Sequence, residues 1–276
     1  MTEVWRLCIF IVVLSSICES SPSVIDLSYT FDKGTPNNPQ LTKFDLRVVK
    51  RGLNKYGNWL ELHDFFASEH SGTHVDAPSH FSKGGTTIDK IPHYKLYRVP
   101  GVMIDVRDKI RRNINYEIKP EDIEDWIDVY GPLPDGGVVL FQTGWGERSS
   151  SPSAYSGLDQ FGKLNFPGLG REAAEYLVRY GNATNKRQGV VGIGTDTLSL
   201  DVGQSVRYPA HIILLGHELY GIENIANMER LPPRGFTLTI MPLKIGAGTG
   251  SPARIFAELE GEPYTSPLIS SSTSLK

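Results

Sequence analysis

The sequence predicts a mixed α/β domain, and three observations lead to this prediction. Short runs rich in β-branched residues recur along the chain, Gly and Pro clusters separate them, and two segments have the apolar spacing of an amphipathic helix. Strands interleaved with a few helices are typical of mixed α/β architectures. The chain has 276 residues, of which 39% are hydrophobic, so a packed core is expected and intrinsic disorder is excluded as its overall class.

The predicted strands are short apolar segments bounded by turn-forming clusters such as Gly34–Pro36 and Pro132–Gly137. No internal repeat and no clear linker interrupts residues 24–260, so we expect one domain over residues 21–264. Strands are expected at Leu46–Val49, Val102–Val106, Val138–Gln142, Val190–Ile193, Leu238–Met241 and Ile255–Leu259.

Two helices are predicted between these strands. The first begins at Pro120, a residue tolerated in a first helical turn, and Glu121 and Asp122 would lie near its positive end. The second covers Arg171–Tyr180, with Gly181 as the expected stop.

The first twenty residues have the pattern of a secretory signal peptide. Arg6 precedes the apolar run Leu7–Leu14, which is shorter than the about 20 apolar residues that span a bilayer. Small residues follow, so we expect cleavage after Ser20 and a secreted or secretory-lumen protein without membrane attachment. An uncleaved anchor or a buried N-terminal strand is the alternative.

Both cysteines of the chain, Cys8 and Cys18, lie in this segment. A mature protein without cysteine can have no cysteine nucleophile, no cysteine-ligated zinc and no disulfide. A glycosylation sequon begins at Asn182, which fits the secretory route. The Ser/Thr-rich residues 265–276 are expected to form a disordered tail.

Charge and motif content disfavour several function classes. The 28 Lys and Arg residues are balanced by 31 Asp and Glu residues, and no basic stripe suited to nucleic acid is present. The sequence contains no Gly-x-Gly-x-x-Gly or P-loop pattern, so no organic nucleotide cofactor is expected. It also lacks the Gly-x-Ser-x-Gly elbow of serine hydrolases.

A dense group of histidines indicates a metal site. His70, His74 and His80 fall within eleven residues, together with Asp76. Gly72 and nearby β-branched residues disfavour a helix here, and in an extended segment His74 and Asp76 project from the same face. Gly72 permits a bend that brings His70 beside them.

The donor set of this group suits a catalytic metal. Two neutral imidazoles and a carboxylate bind Zn²⁺, Mn²⁺ or Fe²⁺, and three protein ligands leave one position open. The alternative is a polar loop with ordinary surface histidines. His211 and Glu223 lie far downstream, and by themselves they fit a core histidine and a surface carboxylate. Nothing in the spacing alone joins them to the first group.

Residues 70–80 follow the pattern His-x3-His-x-Asp-x-Pro-x-His, which resembles the signature of the cyclase family of metal-dependent hydrolases. This family includes bacterial-type kynurenine formamidases and isatin hydrolase. His211 and Glu223, twelve residues apart, match the downstream pair of the family, and the segments 26–28 and 194–201 are similar to further family segments. The resemblance extends from about residue 24 to residue 260. It implies the compact cyclase-type swivelling fold, with a mixed β-sheet and few helices, and a homodimer.

Carried over position by position, the resemblance implies a site with two divalent metal ions, zinc or manganese. His70, His74 and Asp76 would hold the first ion. Asp76 would bridge to a second ion, held also by His211 and Glu223. Each position matches a residue of the family motif.

His80 matches the proton-transfer histidine of the family, with a fourth metal ligand as its alternative. The activity implied is hydrolysis of a small-molecule aryl amide. N-formylkynurenine, cleaved to kynurenine and formate in tryptophan catabolism by an arylformamidase, is the first candidate. A secreted lactamase similar to isatin hydrolase and a non-catalytic secreted metal- or ligand-binding protein are the alternatives. Phe65 and Phe66 closely precede the metal motif and are candidates to contact an aryl ring, although core packing is the commoner explanation for each aromatic residue taken alone.

Overall fold

The computed structural model of the protein describes residues 22–183 and 189–263. The predicted signal peptide at residues 1–20, the predicted tail at residues 265–276 and Thr184 of the glycosylation sequon lie outside the described residues. Within the described ranges, no helix has both the length and the apolar character needed to cross a membrane.

Twelve strands and five α-helices make up the described chain. The strands are β1 (Pro22–Asp26), β2 (Asp45–Leu53), β3 (Trp59–Phe66), β4 (His74–Asp76), β5 (Val99–Asp105), β6 (Glu117–Ile118), β7 (Val138–Gln142), β8 (Gly168–Leu169), β9 (Gly192–Thr195), β10 (Tyr220–Glu223), β11 (Phe236–Pro242) and β12 (Gly250–Pro263). The helices are α1 (Arg107–Ile110), α2 (Pro120–Tyr130), α3 (Pro152–Ser156), α4 (Arg171–Ala183) and α5 (Pro209–Gly216). Single 3-10 turns occur at Pro78–His80, Ile88–Lys90, His93–Lys95, Trp145–Arg148 and Met228–Arg230.

Seven of the strands close into a mixed barrel. Their hydrogen-bonded order is β12, β11, β5, β7, β9, β10 and β4, and β4 pairs back with β12. The three pairings within the run β5, β7, β9 and β10 are parallel, and all the other pairings of the barrel are antiparallel. β1 extends the sheet beside β12. The prediction of a mixed α/β fold with few helices is therefore confirmed.

Two hydrophobic clusters lie on the two faces of the barrel wall. Along β7, Val138 and Leu140 belong to one cluster, and Val139 and Phe141 belong to the other. The second cluster also contains residues of α2, α4 and α5, so these helices cover the outer face. All five residues of β7 are buried, because a parallel strand covered on both faces requires a continuous apolar run.

The two predicted helices form, and one extends further than expected. In α2, Asp122 accepts a 2.9 Å hydrogen bond from the backbone N–H of Lys119, and Trp126 donates to the carbonyl of Met103 on β5. This helix ends at Tyr130 and is followed by Gly131, whose φ is 87°. Helix α4 continues through Ala183, so the predicted stop at Gly181 was wrong. Glycine weakens a helix interior but does not by itself end it.

Each of the six predicted strands overlaps a strand of the structure. The one predicted at Val190–Ile193 begins two residues later than expected, at Gly192. No strand was predicted at β1, β3, β6, β8 and β10, and for β4 the sequence indicated only an extended segment through His74 and Asp76. β4 and β10 are short and contain the charged residues of the site described below. The placement of β2 and β3 was also not predicted. They form a separate two-stranded hairpin outside the barrel, and most of its residues are exposed.

Candidate metal centre

The candidate ligands begin on the shortest barrel strand. β4 carries His74 and Asp76, and all three of its residues are buried. β10 lies antiparallel beside it, so Glu223, at the end of β10, pairs in register with His74. A histidine and two carboxylates from distant parts of the sequence are thereby brought together.

The turn before β4 places His70 at the same point. Gly72 has a φ of 65°, in the left-handed region that glycine adopts without steric cost. A Cβ at Gly72 would also lie only 2.7 Å from Cγ2 of Thr35. The bend brings Nδ1 of His70 to 2.7 Å from Oδ1 of Asp76. The bend expected at Gly72 is therefore present in the structure.

The neighbouring strand leaves room for the His70 ring. Gly250 on β12 pairs in register with Asp76. A Cβ at Gly250 would lie 2.5 Å from Cε1 of His70 and 2.8 Å from the carbonyl oxygen of Val75. A residue with a side chain at this position would therefore have to displace the imidazole.

The two oxygens of Asp76 face different histidines. Oδ1 lies 2.7 Å from Nδ1 of His70 and 3.3 Å from Nε2 of His74, whereas Oδ2 lies 3.3 Å from Nε2 of His211. Glu223 closes the group, with Oε2 at 3.3 Å from Nε2 of His74 and Oε1 at 3.1 Å from Nε2 of His211. All five predicted metal ligands therefore occupy one buried cluster.

For His74 and His211, a hydrogen bond from Nδ1 to a group outside the cluster directs the other ring nitrogen, Nε2, into the cluster. Nδ1 of His74 lies 2.9 Å from the carbonyl oxygen of Gly72, and Nδ1 of His211 lies 2.6 Å from Oδ2 of Asp201. Each Nδ1 donates in the neutral ring, so the lone pair belongs to Nε2. Nε2 is the nitrogen that faces the carboxylates. Such contacts orient metal-ligating histidines and fix their tautomers.

In His70 the two ring nitrogens have the opposite roles. The hydroxyl of Thr249 donates to Glu69 at 2.9 Å, so it accepts from Nε2 of His70 at 3.1 Å. In the neutral ring this leaves the lone pair on Nδ1, which faces Asp76.

Three residues with this orienting role were missed by the sequence analysis: Glu69, Thr249 and Asp201. Asp201 lies in the segment 194–201, to which the sequence assigned no role at the site. The structure shows that it also accepts from the backbone N–H groups of Ala210 and His211, at the start of α5. No local pattern marks Glu69 or Thr249, because each acts through a contact distant in sequence.

The cluster has the properties of a metal site. Nε2 of His74 and Oδ2 of Asp76 are buried and have no hydrogen-bond partner among the described residues. Orphaned buried polar atoms are costly unless an ion or water satisfies them. Two groups have ligand atoms close enough to share an ion, His70 with Asp76 and His80, and His74 with Asp76 and Glu223. Asp76 belongs to both, and the nitrogen and carboxylate donors suit zinc or manganese.

The charges in the cluster shift the pKa values of its members in opposite directions. Burial acts to lower the pKa of His74, but the nearby carboxylates of Asp76 and Glu223 outweigh it and raise this pKa to about 10. The pKa of His211 is also raised, since Asp201, Asp76 and Glu223 outweigh its burial. Burial acts to raise the pKa of Asp76, but its three histidine neighbours hold it well below the usual range.

His80 lies at the edge of the cluster, in the 3-10 turn that follows β4. Its ring stacks on that of His70, with centroids 3.9 Å apart and planes 25° apart. Burial lowers the pKa of His80 to about 4, so the ring is neutral at physiological pH. A neutral imidazole can accept a proton, and it can also bind a metal.

A cavity of about 290 Å³ opens onto this cluster and is lined by His70, Asp76, His80, His211 and Glu223 at one end. The rest of its wall is formed by uncharged side chains and backbone. Its larger apolar members are Leu41, Phe81, Leu164, Phe166, Leu198 and Tyr208, and its neutral polar members are Asn38, Gln40, Ser199 and Ser205. This volume suits a small organic molecule held against the metal ligands.

Phe65 and Phe66, the two candidates to contact an aryl ring, do not line this cavity. Both residues end β3, on the hairpin outside the barrel, and they are 57% and 62% exposed. Phe65 packs instead against Phe31 and Phe44. It borders a separate cavity of about 490 Å³, which contains none of the histidines. Phe65 and Phe66 are therefore close to His70 in sequence but do not line the cavity that His70 borders.

Comparison with known proteins identifies the family. The family model described as "Putative cyclase" matches residues 25–202. The chain belongs to the cyclase family. Isatin hydrolase of Roseibium aggregatum is 32% identical over 209 residues, which cover 72% of this chain and 73% of that protein. Kynurenine formamidase of Geobacillus thermodenitrificans is 27% identical over 234 residues, covering 83% of this chain and 94% of that protein.

Solved structures extend the relationship to the fold of this cyclase-family chain. Isatin hydrolase A from Labrenzia aggregata, bound to benzyl benzoate, superposes with a TM-score of 0.75 at 32% identity. The match covers 86% of this chain and 93% of that one. The predicted cyclase-type fold is thereby confirmed. These relatives are hydrolases, and the buried ligand cluster described above lies in a fold that they share.

Proposed function

We propose that this protein is a metal-dependent amidohydrolase that cleaves the C–N bond of a small aryl amide. The observation that carries the proposal is the arrangement around Asp76, whose two oxygens face different histidines. A buried set of unpaired nitrogen and oxygen donors beside a cavity is suited to catalysis by a metal. The relatives named isatin hydrolase and kynurenine formamidase support the same reaction class.

His70, His74 and Asp76 would hold one divalent cation, and Asp76, His211 and Glu223 would hold a second. Zinc and manganese both suit these donors. A bound cation of this kind polarises a carbonyl group and lowers the pKa of water.

His80 is proposed to transfer the proton. It stacks on His70 and is neutral at physiological pH, so a ring nitrogen can accept a proton from the attacking water. The protonated ring can then donate that proton to the departing amide nitrogen, which is a poor leaving group without it. Phe81 packs edge-on against His80 and helps to hold the ring in place.

A neutral cyclic aryl amide, of which isatin is an example, is the proposed substrate. Outside the cluster, the side chains that line the cavity carry no charge, and several are aromatic or aliphatic. Walls without charge favour an uncharged ring, whereas the ammonium and carboxylate groups of a free amino acid would lose hydration there without gaining an ionic partner. N-formylkynurenine is the second candidate, favoured by the kynurenine formamidase relative that this chain matches over 94% of its length.

The setting of this activity is proposed from the sequence. Cleavage of residues 1–20 as a signal peptide would deliver the enzyme to the secretory lumen or outside the cell, where Asn182 can be glycosylated. Association of two copies into a homodimer is proposed by analogy with the family.

Metal analysis combined with a substrate panel tests the proposal. The purified protein, its metal content measured, is assayed with isatin, N-formylkynurenine and an aliphatic amide, before and after chelation. We expect turnover of an aryl amide that chelation removes and added Zn²⁺ or Mn²⁺ restores. Metal binding without turnover of any of the three would instead identify a binding protein. Full activity in a verified metal-free sample would overturn the role given to the metal.

A further inference from the structure

Tyr208 has a backbone conformation that its residue type rarely adopts. It precedes α5, with φ 46° and ψ 51°, in the left-handed region. For a bulky residue such a conformation is a genuine outlier, whereas glycine and asparagine adopt it more readily.

Hydrogen bonds on both sides hold Tyr208 in this conformation. Its backbone N–H donates to Oγ of Ser205 at 3.1 Å, and its carbonyl accepts from the N–H of Ile212 at 3.0 Å. Strained residues persist where their surroundings hold them, and they concentrate at ligand-binding and catalytic sites. The left-handed conformation of Tyr208 therefore indicates a role for its side chain at the neighbouring site.

The ring of Tyr208 forms part of an aromatic wall. It packs against Phe81, with ring centroids 5.4 Å apart, and it meets His211 edge-on at 6.0 Å. Phe81 in turn lies 4.7 Å from the rings of both His80 and His211. The wall formed by Phe81 and Tyr208 therefore extends outward from the metal ligands and from the proposed acid/base.

This wall has open space beside it. Tyr208 is 41% exposed, and both aromatic rings line the cavity of about 290 Å³. The same cavity is bordered by Leu164, Phe166 and Leu198, which belong to a separate buried cluster with Trp145 and Tyr155. Two apolar surfaces from different parts of the chain thus border one space that ends at the metal ligands.

We infer that Tyr208 is a substrate-positioning residue that stacks on the aryl ring of the substrate and directs its amide carbonyl toward the metal ligands. The inference takes the ligand class, a neutral aryl amide, from the proposed function. Aromatic rings stack offset or edge-to-face at centroid separations of about 4.5–7 Å, the range that Tyr208 and Phe81 already show with each other. The strained backbone fixes where the ring stands relative to α5, the helix that carries His211.

Binding of 2-oxindole, a neutral bicyclic lactam, tests the inference without relying on turnover. Its dissociation constant is measured by calorimetry with the metal-loaded protein and with Tyr208→Asn, which tolerates the left-handed conformation but lacks the ring. We expect the dissociation constant to rise about 5- to 20-fold, the effect of losing one aromatic contact. Tyr208→Phe, which retains a ring, should recover most of the affinity.

Two controls separate positioning from folding. Arg98 also has a positive φ, of 49°, and lies outside the cavity, so Arg98→Asn should leave the dissociation constant unchanged. Metal content and melting temperature are measured for every variant. If Tyr208→Asn does not fold, Phe81→Leu tests the other half of the wall, and the same fold-change is required.

The outcomes distinguish this inference from the proposed function. Wild-type affinity in a folded Tyr208→Asn, or no binding of 2-oxindole by the wild type, overturns the role of Tyr208. Absence of turnover with the whole substrate panel overturns the proposed function instead, while the dependence of 2-oxindole binding on Tyr208 still decides the inference. With an aryl amide that the wild type cleaves, Tyr208→Asn should raise KM more than it lowers kcat.

Discussion

Asp201 and His211 are joined by a contact of 2.6 Å between Oδ2 and Nδ1, and this contact determines which nitrogen of His211 faces the cluster. The same carboxylate accepts from two backbone N–H groups at the start of α5. One side chain therefore holds both the ring and the first turn of the helix that carries it.

Asp201→Asn should weaken metal binding at the half of the site that contains His211. An amide can donate as well as accept, so it no longer enforces the Nδ1–H tautomer, and changes of this kind typically cost about 10- to 100-fold in metal affinity or activity. Titration of the chelator-treated protein with Zn²⁺ measures the effect. Asp108→Asn is the matched control, because the Asp108 carboxylate is 82% exposed and pairs with Arg111 at the surface. Equal zinc affinity in all three proteins would contradict the role of Asp201.

Asp76→Asn should be more damaging than His70→Ala or Glu223→Ala. Asp76 lies against His70, His74 and His211 and is proposed to hold both ions, whereas His70 and Glu223 are each proposed to hold one. Elemental analysis should find close to two ions per wild-type chain, about one in each alanine variant and fewer in Asp76→Asn. A wild-type protein that binds a single ion at saturation would remove the bridging argument.

The sequence predicted the parts of this molecule that are determined locally. β7 could be predicted at its exact bounds because a continuous apolar run is what a strand covered on both faces requires. The group formed by His70, His74 and Asp76 could be predicted because a strand with a preceding glycine turn is a local structure.

The rest depends on contacts that a single sequence does not display. Glu223 alone fitted a surface carboxylate, but pairing of β10 with β4 buries it beside His74. Only the family resemblance linked it and His211 to the first group. Phe65 shows the converse, since it is close to the metal motif in sequence but lies on a hairpin outside the barrel and does not line the cavity at the ligands.

Metal binding should release protons at pH 7. In the metal-free chain the pKa of His74 is raised from 6.5 to about 10, so its ring is cationic and must lose a proton before Nε2 can bind an ion. The protonated ring stabilises the metal-free fold fully below about pH 6.5, and this contribution disappears as the pH rises through about 10. Metal affinity should therefore increase with pH. Calorimetric titrations in two buffers of different ionisation enthalpy measure the protons released, and buffer-independent heats at pH 7 would refute the prediction.

Gly250→Ala should damage the site through His70. The new Cβ would lie 2.5 Å from Cε1 of the imidazole and 2.8 Å from the carbonyl of Val75, so the ring must move. Overpacking of this kind typically costs about 1–3 kcal/mol of stability, and we also expect weaker metal binding. Gly246→Ala is the control, because a Cβ there meets nothing within 4 Å. Thermal unfolding and metal content measure the two effects. If Gly250→Ala equals Gly246→Ala in both, the His70 ring can move aside without cost and the prediction is wrong.

His80→Ala should retain near-normal metal content and lose turnover. A general acid–base group contributes about 10²- to 10⁴-fold in rate, so kcat for an aryl amide should fall within that range. The loss should be smaller for an activated aryl ester, whose leaving group departs without a proton. Because the pKa of His80 is held at about 4, protonation of its ring should reduce the rate only toward that pH.

Added metal separates the two interpretations of His80, since excess Zn²⁺ can restore a weakened ligand set but cannot replace a missing base. An alanine variant that purifies without metal and regains its rate in excess Zn²⁺ would identify His80 as a ligand. His93→Ala, which changes an exposed histidine outside the cavity, should behave as the wild type in each assay.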